Sequence, residues 1–171
     1  ESARERVVTK ALQELFAERG FAGRVANVSA PGFHVFSKFV KLPPVDSAKI
    51  GQIIQYEAQQ NVPFPLAEVV WDYQILGTAP GGEMEVLLVA VKTEIVEGLF
   101  RVAEGRGLRL QGVDVSPAAL ANAFRFNYSD QDGCTMLLDI GAKTSSVLFF
   151  EKGKIYARSI SIGANSITQD F

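Results

Sequence analysis

The chain has 171 residues, 47% hydrophobic and 21% charged, a globular balance sufficient for one large or two small domains. A formal net charge of -2, with no run of five like charges, gives no electrostatic basis for nucleic-acid binding. Cys134 is the single cysteine, so no internal disulfide and no cysteine zinc site can form, and the apolar residues after it place it at the start of a buried strand. No signal-peptide pattern opens the chain, and its longest apolar run, Val86–Val91, falls far short of the ~20 residues of a membrane span.

The first residues, ESARERVVTKALQELF, have helical spacing that puts Val7, Val8, Ala11, Leu12 and Leu15 on one apolar face, with Gly20 placed for a left-handed cap. There is no initiator methionine, and the last residues, Asn165 to Phe171, read as the opening turns of a helix, so the sequence reads as a piece of a longer protein. A short strand carrying Val25 and Val28 and a Pro31-Gly32 turn lead to FHVFSKFVKL, a strand in which neither face is cleanly polar. Pro43-Pro44 breaks the chain, and Asp46 or Ser47 caps a helix that buries Ile50, Ile53, Ile54 and Ala58.

After Pro63 and Pro65 comes VVWDYQIL, with Trp71, Tyr73 and Ile75 on one face that serves either as core or as an anchor for a partner. GTAPGGE turns the chain into MEVLLVAV, its hairpin partner. A helix from Thr93 buries Ile95, Leu99, Val102 and Ala103, LRLQGVDV is the next strand, and Ser116-Pro117 opens a short helix. Helix, strand, strand, helix, strand between Asp46 and Val115 is the order of a compact α+β subdomain. TMLLDIG, expected as a buried strand, and SSVLFFEKGKIYARSISIG, with a turn at 151–154, make an antiparallel meander.

Chemistry concentrates in LLDIGAKTSSVLFF. A strand delivers Asp139 to its end, a Gly141-Ala142 turn lets backbone N–H groups approach an anion, and Thr144 and Ser145 offer hydroxyl donors. Asp139 suits such a site only if magnesium or water stands between its carboxylate and a phosphate. A plain hairpin whose aspartate and glycine serve the turn explains the same pattern. His34 has no histidine or paired cysteine beside it and reads as a strand residue rather than a ligand.

Three stretches bear on this choice. YEAQQNVPFPLAEVVWDYQ (Tyr56–Gln74), LLDIGAKTSSVL and SISIGANSITQDF together resemble, in order and spacing, the PilM family of type IV pilus assembly proteins, relatives of FtsA within the actin superfamily. The resemblance covers essentially the whole chain. It implies an α/β, actin-like (ribonuclease H-like) fold with an inserted α+β subdomain. Residues 1–45 would be an incomplete first lobe, 46–115 the insert, 116–130 the return to the first lobe, and 131–171 the start of a second, truncated lobe.

The resemblance further implies ATP and magnesium in the intact protein, with Asp139, Gly141, Ala142, Thr144, Ser145, Gly163 and Asn165 on the phosphate side and Asp139 toward the metal. The family's first phosphate loop and adenosine-binding part have no counterpart in the sequence, so this piece alone is expected to bind ATP weakly or not at all. Gly163-Ala164 replaces the family's Gly-Gly, and Ser146 stands where several hydrolysing relatives carry a second acid, so hydrolysis is left open and no catalytic residue is assigned.

The implied role is a cytoplasmic scaffold at the inner face of the inner membrane, peripheral to it through its partners. It would dock the cytoplasmic tail of a PilN-like inner-membrane protein, with other platform proteins or motor ATPases as further partners. Phe33, Phe36 and Phe64 are the candidate docking residues, and plain core packing is the competing reading for them. The alternatives are an ATPase whose turnover drives pilus assembly and an FtsA-like membrane-tethered filament protein.

Overall fold

The computed structural model describes residues 3–19, 25–44, 49–128, 133–151 and 154–169. The chain divides into two units. One comprises residues 1–30 and 36–113, the other residues 31–35 and 114–171. The expected caps at Gly20 and at Asp46 or Ser47 fall outside the described residues, as do residues 152 and 153 of the expected turn at 151–154.

The first unit is built on a three-stranded sheet of β2 (Val35–Leu42), β3 (Val69–Thr78) and β4 (Met84–Lys92), with β4 in the centre. The β3–β4 hairpin is antiparallel, as its alternating pattern predicts, and runs from Val69 opposite Lys92 to Thr78 opposite Met84 with a bulge between Ile75 and Gly77. Its turn is closed by Ala79 N–H to the Glu83 carbonyl at 2.7 Å, and Gly82 takes φ +84°, a conformation open to glycine.

Helix α2 (Ile50–Asn61) lays Ile54 and Ala58 against one sheet face, where they meet Val40, Leu42, Val69, Val86, Leu88 and Ala90. The i, i+4 spacing of the helix and the i, i+2 spacing of β4 meet in one apolar layer. Leu42, Ile54 and Val86 are fully shielded, each worth about 1.5–3 kcal/mol of burial. Trp71 packs at the margin of this core, whereas Tyr73 and Ile75, expected beside it, remain 39% and 45% exposed because β3 is an edge strand.

Helix α3 (Thr93–Glu104) packs against β3, β4 and β1 (Val25–Ala30), and β1 pairs with β5 (Arg109–Val115). Helix α1 (Ala3–Arg19) has α3 as its main packing partner. The two helices approach closely at Gly98, where a Cβ would lie 2.8 Å from Glu5 Oε1, and Arg101 Nη2 bonds the same carboxylate at 3.0 Å. The expected helix is observed, but much of its apolar face is uncovered: Val7, Val8 and Leu15 stay exposed, because one helix-on-helix line covers only a narrow stripe.

The second unit is an antiparallel meander of β6 (Thr135–Ile140), β7 (Ser145–Glu151) and β8 (Lys154–Ile160), with α4 (Ser116–Asn127) on one face. Ala121, Leu120 and Phe124 of α4 meet Leu137, Leu148, Phe150, Ile155 and Ala157, and the Phe124 and Phe150 rings stack at 4.3 Å. The opposite face carries Met136, Leu138, Ile140, Phe149, Tyr156 and Ile160, all at least 40% exposed. TMLLDIG is thus buried on one side only. Cys134, expected inside, is exposed and precedes the first residue of β6. Residues 31–35 also belong to this unit and contain a 3-10 turn, Gly32–His34, closed by His34 N–H to the Pro31 carbonyl at 2.9 Å. Phe33 and His34 are therefore in a turn rather than in the expected strand, because Pro31 presets the φ that starts it.

Candidate functional site

The loop after Asp139 is built by its own glycine. Gly141 N–H bonds the Thr144 carbonyl at 3.0 Å, which closes a tight turn between β6 and β7. Helix α5 (Ala164–Gln169) begins against that turn: Ala164 N–H donates to the Gly141 carbonyl at 2.9 Å and Asn165 N–H to the Ala142 carbonyl at 3.0 Å. Gly163 sits where no side chain fits, since a Cβ would meet Gly141 O and Lys143 C at 2.6 Å and Ala142 O at 2.7 Å. Ser145 is 4% exposed, and its hydroxyl donates to the Ile162 carbonyl at 2.7 Å.

Gly141, Ala142, Ser145, Gly163 and Asn165 are therefore drawn into one knot. The carbonyls of Gly141 and Ala142 are turned to α5, while the N–H groups of Ala142 and Lys143 take no backbone acceptor among the described residues. Successive unpaired amides in a glycine turn form a concavity suited to an anion. Thr144 is half-buried at the end of the turn.

Asp139 is half-buried and opposite Ser146 in β7, which in turn is opposite Ser159 in β8. This polar row lies on the α4 side of the sheet. It runs beside Gly32, where a Cβ would stand 3.1 Å from Ser159 Oγ and 3.3 Å from Ser146 Oγ. No group of three His, Cys, Asp or Glu side chains able to hold a metal occurs among the described residues. A cation at Asp139 would thus take most of its oxygen ligands from water or a bound phosphate.

The three phenylalanines divide. Phe33, in the second unit, is 61% exposed and meets the His34 ring edge-on at 5.1 Å. Phe36 packs against the core of the first unit. Phe64, also in the first unit, is 36% exposed, with Lys92 Nζ 5.3 Å from its ring centroid.

Sequence reasoning missed an open groove of about 370 Å³ in the first unit, between β3 and α3, lined by Val70, Thr93, Val96, Glu97, Phe100, Arg101 and Glu104. Its signal was present. Val70 lies on the sheet face opposite Trp71, and Phe100 lies outside the apolar face of α3 set by Ile95, Leu99 and Val102.

Comparison with known proteins follows the same lines. In the PilM–PilN type IV pilus biogenesis complex, a solved chain superposes with a TM-score of 0.81 at 24% identity, covering 98% of this chain and 51% of that one. The cytoplasmic domain of EpsL, an inner-membrane component of the type II secretion system of Vibrio cholerae, superposes with a TM-score of 0.62 at 12% identity, covering 90% and 56%. The type II secretion system protein L of Xanthomonas campestris pv. campestris is 26% identical over 88 residues, 52% of this chain and 24% of that protein. The chain thus spans about half the length of the solved relatives and a quarter of the curated one. The expected α/β class is observed, and the fold is the one those solved proteins share. The sequence profile of the type IV pilus assembly protein PilM matches residues 2–171, and the chain belongs to that family.

Proposed function

We propose that this chain is part of a scaffold of a type IV pilus or type II secretion machine that docks the cytoplasmic tail of a PilN-like inner-membrane protein. The observation that carries the reading is the superposition of 98% of the chain on a solved chain of a PilM–PilN complex. Among the described residues no helix is long and apolar enough to cross a membrane. In this reading the membrane is contacted through the partner. Such a protein works at the inner face of the inner membrane, and other platform proteins or motor ATPases are its further contacts.

The turn at Gly141–Thr144 supports a nucleotide role in the assembled protein. There the Ala142 and Lys143 amides, which have no backbone acceptor among the described residues, would receive phosphate, and Asp139 would stand toward magnesium. ATP there would shift the scaffold between partner-binding states by binding one state better than the other. Nothing in the donor set activates a water, so turnover is the second reading, favoured only by the position of Asp139.

Calorimetric titration with a synthetic peptide of the partner's cytoplasmic N-terminal segment tests the docking. One-to-one saturable binding, weakened in Phe64→Ala with circular dichroism unchanged, is the expected result. A folded protein that takes no peptide refutes the scaffold reading. Phosphate release by the intact protein that disappears in Asp139→Ala would establish turnover instead.

A further inference from the structure

We infer that the outer face of α2 is a contact by which two copies of this chain pair, antiparallel and through uncharged side chains. The helix turns Ile54 and Ala58 to the sheet, with Ile50 and Ile53 beside them. Gln52, Gln55, Tyr56 and Gln59 are left on the opposite side, at the i, i+3, i+4, i+7 spacing of one face, and all four are exposed. Tyr56 is 61% exposed. The solvent side of a helix ordinarily carries charge, and this one carries none. The single charged residue of α2, Glu57, is half-buried, and its Oε2 accepts from Asn61 Nδ2 at 2.9 Å. The side chains of Gln52, Gln55, Tyr56 and Gln59 take no hydrogen-bond partner among the described residues.

The chemistry of this face selects its occupant. A charged helix would find no counter-charge there, and an apolar one would strip water from the glutamine amides without replacing their hydrogen bonds. What fits is a second face of neutral groups that both donate and accept, as the glutamine amide and the tyrosine hydroxyl do. A second copy of α2 provides that face at the matching spacing, and two-fold pairing demands such self-complementarity. With the two-fold axis passing between Gln55 and Tyr56, each of these meets its own counterpart, and the tyrosine rings supply the apolar area. Gln52 then meets the other copy's Gln59, because the two lie on the same stripe, about 10 Å apart along the helix and on either side of the axis. One face of a helix about 18 Å long covers less than the ~1,200 Å² of a standard stable interface, so the pairing is weak between free chains and takes effect where copies are held side by side. The contact is separate from the docking and nucleotide readings above, and it stands or falls without them.

The test is analytical ultracentrifugation of the chain up to about 1 mM, the effective concentration of a tethered pair, with folding of every variant checked by circular dichroism. The parent is expected to dimerise reversibly. Gln55→Glu sets like charges opposite each other and is expected to lower the association constant about tenfold or more. The double variant Gln52→Lys/Gln59→Glu sets opposite charges across an antiparallel pair twice, and is expected to raise the constant about threefold or more in low salt, with the gain lost in high salt. In a Cys134→Ser background, Gln55→Cys is expected to form a disulfide-linked dimer under mild oxidation, and Gln111→Cys, exposed on β5, is the control that does not. A parent that stays monomeric throughout, or a dimer that Gln55→Glu leaves intact, overturns the contact. Weaker association of the double variant than of the parent, or equal cross-linking at positions 55 and 111, overturns the antiparallel pairing of this face.

Discussion

Gly163→Ala is the sharpest perturbation the structure offers. The added methyl would lie 2.6 Å from both Gly141 O and Lys143 C and 2.7 Å from Ala142 O, all of them backbone atoms with no rotamer to give way. Relief requires the turn to move off α5, which breaks the bonds from Ala164 N–H and Asn165 N–H at 2.9 and 3.0 Å. Two hydrogen bonds at about 1 kcal/mol each, with overpacking of about 1–3 kcal/mol, give a loss of about 3–5 kcal/mol. The single tryptophan, Trp71, lies in the other unit, so its fluorescence would report the wrong event. The proper assay is amide hydrogen exchange, resolved for Ala164 and Asn165, with urea unfolding followed by far-ultraviolet circular dichroism. The expected result is exchange at both amides faster by two orders of magnitude or more. Protection within threefold of the parent would show that the turn and α5 are not packed as described.

Three further substitutions probe separate features. Leu148→Ala empties the centre of the β6–β8 core and is expected to cost about 2–5 kcal/mol, measured by urea unfolding. Ser145→Ala removes the bond to the Ile162 carbonyl and costs about 1 kcal/mol in the same assay, whereas Ser145→Thr retains the donor and tests whether the pocket admits a methyl. Gly51→Ala, in the first turn of α2 with nothing within 4 Å of the added methyl, is expected to stabilise the first unit by about 0.5–1 kcal/mol, read as a higher melting midpoint of Trp71 fluorescence.

The elements were legible in the sequence wherever periodicity and punctuation agreed. The β3–β4 hairpin, α2, α3, α4 and the β6–β8 meander follow from alternating or helical apolar spacing bounded by glycine and proline. Burial was less legible. Val7, Val8 and Leu15 have the spacing of a buried helix face, but spacing fixes which residues share a face and not whether another element covers it. Met136 and Leu138 show the same limit in a strand: an uninterrupted apolar run suggested two covered faces, and α4 covers one. Phe33 was assigned to a strand because aromatic residues favour strands, and the Pro31-initiated turn overrode that preference.

At the candidate site, the glycine turn and its neighbours could be named from the sequence, but their hydrogen bonding could not. Ser145 reads as a free hydroxyl donor in the sequence, and in the structure its proton is committed to the Ile162 carbonyl. Gly163 is placed on the phosphate side by the resemblance, and in the structure it is clearance for three backbone atoms. Such contacts join residues about twenty positions apart and depend on how closely two backbones approach, which no local pattern records.

The joint between the Gly141–Thr144 turn and α5 also has a mechanical meaning. Two amides and a side-chain-free contact hold the turn to the first residues of the helix, with no flexible side chain between them to absorb displacement. A push on the turn is therefore delivered to the end of the helix as a torque, and a change of less than an ångström at the loop would become a larger sweep at the far end of any helix rooted there.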